Sequence, residues 1–296
     1  MDDWACRLSA ETEVKRMAGI KPLSEQTLMN NYVFSMVMRE PRRIKPLLEH
    51  ILGKKIKTIR MVEPEKTMKE KFESKGIRLD LYVEDADGVV YDVEVQTTDQ
   101  KNLPRRMRYY QGMLDITFFP AGADYNLMRK SYVIFICNFD PYGEGLYIYT
   151  FQNRCDQNYE VLFGDDAVKV VVNTKGTKGD ISPELKEAII YLDREEVTGP
   201  YSKELDDAVN ELKSNEERGQ EYMMLMTYGA EREAAGKYID KVEFIRNWNN
   251  DGQLFPKDVA AKSIRIALPI FDGVLNLIHD HPDWDDRMIA DKADWR

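Results

Sequence analysis

The chain has 296 residues, 43% of them hydrophobic and 10% aromatic, which bounds it to one large globular domain or two smaller ones. Its formal net charge of −10 argues against indiscriminate binding to polyanions, but the charge is unevenly placed. Residues 1–179 hold 27 Lys+Arg against 26 Asp+Glu, whereas residues 180–296 hold 15 against 26, so a phosphate-binding surface is expected in the first part.

No apolar run approaches the roughly eighteen residues of a membrane span. The charged N-terminal stretch MDDWACRLSAETEVKRMAG does not read as a signal peptide. Cys6, Cys137 and Cys155 are widely spaced, form no zinc pattern and suit a reducing cytoplasm. Cys137, in an apolar run, reads as a buried thiol.

In chain order, residues 1–24 lack periodicity and read as an arm. From Gln26 to Leu52 apolar residues recur at helical spacing, and Glu40-Pro41 splits them into two helices, the second ending at Gly53. Alternation over Lys55–Val62 predicts a first strand, and Pro64–Ser74 a polar connector. A hairpin follows, then a helix starting at Asn102-Leu103-Pro104 and running to about Phe118, with a core stripe of Met107, Tyr110, Met113 or Leu114, and Thr117. That helix would point Arg105, Arg108 and Gln111 toward the polar end of the hairpin. Lys130–Phe139 reads as a buried central strand, with outer strands at Gly145–Phe151 and Ala167–Asn173. Beyond Ser182-Pro183 the pattern is helical, including one long helix over Tyr222–Trp248 with a packing stripe of Met223, Met226, Ala230 and Ala234. Two short helices are expected at Lys257–Leu268 and Pro269–Asp280. His50, His279 and His281 have no spacing for a triad or a zinc site and read as structural.

The most informative stretch is Lys75–Gln96, KGIRLDLYVEDADGVVYDVEVQ. Two alternating runs flank Asp87-Gly88, the signal of a hairpin closed by a left-handed glycine. That register sets Asp85 opposite Val89, Asp80 opposite Glu94 and Arg78 opposite Gln96. Leu79, Leu81, Val83, Tyr91, Val93 and Val95 then share a core face, and Arg78, Asp80, Tyr82, Asp92, Glu94 and Gln96 the other. Opposed carboxylates repel and need compensation. Either Arg78 and solvent supply it, or a divalent cation held by Asp80, Glu94 and a backbone carbonyl does.

Asp80, then Glu94-Val95-Gln96, then an Arg-rich helix and a buried strand, resembles the PD-(D/E)XK nucleases. The runs RLDLYVEDADGVVYDVEVQTTDQKNLPRRMRYYQGMLD and KSYVIFICNFDPYGEGLYIYTFQNRC more narrowly resemble the Rpn-type PD-(D/E)XK nuclease family transposases. The resemblance spans about Leu28–Leu192. It implies an α/β restriction-endonuclease-like core, with a mixed central sheet and a catalytic hairpin between helices, over residues 25–180. The arm of residues 1–24 precedes that domain and an acidic helical region, residues 181–296, follows it.

The resemblance further implies a cytoplasmic, bacterial, Mg²⁺-dependent DNA endonuclease tied to recombination or mobile elements, with Mn²⁺ as a possible substitute. Asp80, Glu94 and the Val95 carbonyl would hold the metal, and Asp80, Glu94 and Gln96 would form the catalytic set. Gln96 stands where much of the superfamily has Lys; it can orient water but carries no charge. Asn31 stands where relatives have an acidic residue, which weakens a second-metal site. Arg105, Arg108, Gln111 and Asn31 are the candidate phosphate contacts, and a homodimer is compatible with double-strand cutting. The competing readings are an inactive DNA-binding module and an interaction protein acting through its acidic helices.

Overall fold

A computed structural model describes residues 19–68, 77–120, 122–250 and 256–295. Most of the arm expected over residues 1–24, part of the connector expected over Pro64–Ser74, and the first two residues of the Lys75–Gln96 stretch lie outside these. The chain divides into two compact units, one spanning Lys21–Gly219 and the other including Gln220–Arg296.

The first unit opens with a short 3-10 turn, Leu23–Glu25, whose Leu23 is buried. Helix α1 (Asn31–Met38) follows, and the Asn30 side chain caps it by accepting from the N–H groups of Tyr32 and Val33. Helix α2 (Pro41–Leu52) starts on Pro41, and Gly53 ends it at φ 61°, in the left-handed region that glycine enters without penalty. The interruption at Glu40-Pro41 therefore divides two helices, as expected.

Strand β1 (Ile59–Met68) begins later and runs further than the alternation over Lys55–Val62 predicts. Residues Pro64–Met68, expected as connector, pair with Ile77–Leu81 of β2 (Ile77–Asp85). Pro64 misled the expectation: β1 is an edge strand, where a residue without an N–H costs no ladder bond. Strand β3 (Val90–Gln96) pairs antiparallel with β2, and helix α3 (Leu103–Phe118) has the expected bounds. Thr117, expected in its core stripe, is exposed; Phe118 turns inward instead and stacks on Tyr82 with ring centroids 5.1 Å apart.

Strand β4 (Ser131–Cys137) is buried at every position because it runs parallel to β3 on one side and to β8 (Ala167–Asn173) on the other. Strand β5 (Ile148–Phe151) closes the far edge, giving the order β1-β2-β3-β4-β8-β5. A separate exposed hairpin, β6 (Arg154–Cys155) with β7 (Asn158–Leu162), is an element the sequence reading missed.

Helix α3 covers one face of the sheet, setting Met107, Tyr110, Met113 and Leu114 against Val133, Phe135, Cys137 and Val171. Helices α1 and α2 pack on β1–β3, and α4 (Pro183–Arg194) and α5 (Pro200–Ser214) pack on α2 and α1. His50, near the end of α2, meets the capping Ser182 of α4, with Nδ1 2.9 Å from Oγ, which gives this histidine a structural role. The boundary expected near residue 180 therefore falls inside the first unit: α4 and α5 cover apolar residues of the helices before them.

Helix α6 (Glu216–Asn250) leads into the second unit, followed by α7 (Lys257–Ser263), α8 (Leu268–Asp280) and α9 (Asp286–Lys292). Val242, Ile245, Trp248, Phe271, Val274 and Ile289 form its core. Of the stripe expected on the long helix, the side chains of Ala230 and Ala234 lie outside the described residues.

Candidate metal and phosphate site

The site grows from the β2–β3 hairpin. Asp85 N–H donates to the Val89 carbonyl at 3.1 Å, and Gly88 closes the turn at φ 78°. The ladder keeps the predicted register from Glu84–Val90 to Leu81–Val93, and the strands then part. Arg78 and Gln96 are thus not a ladder pair. At the parting, carboxylates satisfy backbone donors that the ladder leaves free. Asp80 N–H donates to Glu94 Oε1 at 2.7 Å, and Val95 N–H donates to Asp80 Oδ2 at 3.1 Å.

Other elements bring the remaining partners. The first residue of α1, Asn31, donates from Nδ2 to Asp80 Oδ1 at 3.0 Å. From α3, Arg106 reaches Glu94 Oε2 at 3.1 Å and Gln96 Oε1 at 2.5 Å, and both Nε and Nη2 donate to the Tyr110 hydroxyl. Its guanidinium lies 5.0 Å from the centre of the Phe135 ring. Gln96 Nε2 donates to the Thr98 carbonyl at 2.6 Å.

The polar face of the hairpin is not wet. Asp80 is 4% exposed, and Asp92 and Glu94 are fully buried because α3 lies over them. Burial raises the pKa of all three carboxyls. Repulsion from Asp80 adds to the rise at Glu94, and repulsion from Glu94 and Asp80 adds to it at Asp92. The Val95 N–H, Arg106 and Arg78 hold the Asp80 carboxyl back, and the Asp80 N–H and Arg106 do so for Glu94. No N–H or hydroxyl group donates to either carboxyl oxygen of Asp92, whose hydrogen-bonding neighbour is the Glu94 carboxyl. Three buried carboxyls thus depend mainly on Arg106, with Arg78 adding positive charge at Asp80.

That donor set fits a hard divalent cation, which takes oxygen ligands and offsets clustered negative charge. The Asp80 and Glu94 oxygens each accept a single hydrogen bond here, leaving lone pairs for ligation. Among the described residues no group of three His, Cys, Asp or Glu is arranged to hold a metal on its own. A metal here would complete its shell with water, as Mg²⁺ commonly does.

Among the expected phosphate contacts, Arg105 and Arg108 are exposed on α3, and Asn31 is exposed beside Asp80. Gln111 is a correction. It is 6% exposed and donates to Ser131 Oγ at 2.5 Å, so it ties α3 to β4 and does not face solvent. The sequence places Arg106 in a basic cluster with Arg105 and Arg108 but does not single it out as the residue that meets the carboxylates. Its signal was position: Leu103, Arg106 and Tyr110 recur at helical spacing on the core-facing stripe, where a lone arginine needs an anionic partner.

Residues 29–152 match the family model of the PD-(D/E)XK nuclease family transposases. The match covers less than half of the chain and shows that this stretch is similar to that family. It runs from the end of the turn before α1 to just past β5, and it contains Asn31, Asp80, Asp92, Glu94, Gln96 and Arg106. The six-stranded mixed sheet flanked by helices is accordingly a PD-(D/E)XK nuclease-like fold. No curated protein and no solved structure matches the chain. None of its described helices is long and apolar enough to cross a membrane.

Proposed function

We propose that this chain is a metal-dependent DNA endonuclease that hydrolyses phosphodiester bonds at Asp80 and Glu94, in the setting of recombination or mobile elements. The observation that carries this reading is the convergence of Asp80 and Glu94 on one buried point beside Arg106, within the segment that matches the nuclease family. Asp80, Glu94 and the Val95 carbonyl would hold Mg²⁺ or Mn²⁺, which when bound supplies a water of lowered pKa and positive charge next to the phosphate.

The chain's own residues do the rest. Arg106 favours the ionised form of Glu94 against its burial and adds fixed positive charge at the reacting phosphate, a service that the neutral Gln96 cannot give. Gln96 is held at both ends of its amide, by Arg106 and by the Thr98 carbonyl. One amide N–H remains to orient a water. Asn31 fixes the Asp80 carboxylate. A homodimer acting in the cytoplasm is the form proposed for cutting both strands.

A second reading, a nuclease-fold DNA-binding module without cleavage, draws on Asn31 and Gln96, which replace charged groups, and on the backbone bonds that already engage both carboxylates. The test is incubation of the protein with supercoiled plasmid in Mg²⁺, in Mn²⁺ and in EDTA. The nuclease reading predicts nicked or linear product with either cation and none in EDTA. Binding without product under all three conditions supports the second reading.

A further inference from the structure

An open cleft of about 500 Å³ adjoins the carboxylates, lined by Arg78 from β2 and by Arg105, Arg106, Tyr109 and Tyr110 from α3. That volume suits a small ligand site. Arg106 is common to both places: it forms part of the cleft wall and holds Glu94. Tyr110 is 7% exposed and anchors Arg106 through its hydroxyl, so it forms floor. Tyr109, the next residue, is 39% exposed, and Arg105 stands one helical turn before it. The Arg78 side chain is 54% exposed and lies 3.8 Å from Glu65, a weak pairing that a phosphate can displace.

Flexible cations alone are enough to bind the outside of a duplex, whose phosphates lie on a convex surface. A concave site lined by both an exposed aromatic ring and guanidinium groups offers more. A base stacked inside a duplex has no free face for a tyrosine, whereas an unpaired base does.

We propose that this cleft seats one unpaired nucleotide of a DNA strand, its base against Tyr109 and its phosphate between Arg78 and Arg105, next to the bond held at Asp80 and Glu94. The proposal builds on the nuclease reading and narrows its substrate to DNA with a single-stranded or unstacked segment at the cut.

The test is equilibrium binding by the full chain in EDTA, which separates it from cleavage. Fluorescence anisotropy would compare a labelled single strand with its duplex, for wild type, Tyr109→Ala and Tyr109→Phe. Wild type is expected to bind the single strand more tightly. Tyr109→Ala should weaken single-strand binding roughly tenfold and leave duplex binding nearly unchanged, because stacking on an aromatic ring is a sizeable share of such affinity. Tyr109→Phe should retain it. Equal weakening for both forms, no weakening for either, or no binding by wild type would overturn the proposal. Tighter binding of the matching RNA strand than of DNA would overturn the assignment to DNA. A wild type that binds in this pattern but cuts nothing would contradict the nuclease reading and leave the cleft assignment standing.

Discussion

At the scale of single residues, the site is a problem of buried charge. In the metal-free protein, burial lifts Glu94 to about 8 and Asp80 to about 6, whereas unfolded carboxyls titrate near 4. The native state therefore binds more protons than the unfolded chain across that interval. Its stability from these groups is full below the unfolded values and is lost as pH rises through the folded ones. Thermal melting in EDTA should accordingly fall by several degrees from pH 5 to pH 9, and Glu94→Gln should flatten the slope; a melting temperature that rises over this range would contradict the assignment. Asn31→Asp replaces a donor to Asp80 with a further carboxyl beside the three already there. It should lower the melting temperature in EDTA and tighten Mn²⁺ binding measured by calorimetry. Arg106→Met removes the cation that faces Glu94 and Gln96, and cleavage should drop about a hundredfold, the usual scale for losing one electrostatic contact to a developing charge.

At the scale of elements, the hairpin was legible because its signal is local. Gly88 and two alternating runs fix the register without help from the rest of the chain. The burial of its polar face was not legible, since that depends on α3, which arrives from elsewhere in the chain. Strand β1 was misplaced because Pro64 ends a strand only in a central position, and edge position is a tertiary fact. Asp80 and Glu94 could be named from the alternation and the family resemblance. Arg106 could not be told from Arg105 and Arg108 while the rotation of α3 was read only to within a residue. Helix α1 carries its own test. Asn30 caps it and so sets Asn31 against Asp80. Asn30→Ala should cost about 1 kcal/mol in chemical denaturation, and Asn30→Gly only a few tenths.

At the scale of the whole molecule, the acidic region after residue 180 is not one body. Residues 180–219 carry 5 Lys+Arg against 12 Asp+Glu and belong to the first unit, through α4 and α5. Residues 220–296 carry 10 against 14, so the greater part of that acidity is built into the nuclease-fold unit itself. Tyr201 of α5 donates to the Arg43 carbonyl of α2 at 2.7 Å, and Lys175 pairs with Asp193 of α4 at 2.6 Å. A chain ended at residue 180 would remove α4 and α5 from α2 and α1 and should fail to melt cooperatively; residues 21–219 should melt as one unit in calorimetry. Any masking of DNA binding by acidic helices is therefore to be sought by ending the chain at Gly219, where tighter binding than in the full chain would support it.

Asp80 and Glu94 together are proposed to form one metal-dependent cutting site. The measurement that tests this most directly is the rate of plasmid nicking in Mg²⁺ by wild type, Asp80→Asn and Glu94→Gln, with folding checked by circular dichroism. Both substitutions keep the shape and an acceptor oxygen for the backbone N–H at the parting of the strands, so they remove charge while sparing structure. Wild type should nick the plasmid, and both variants should lose that activity. Undiminished nicking in either folded variant would place the chemistry elsewhere in the chain.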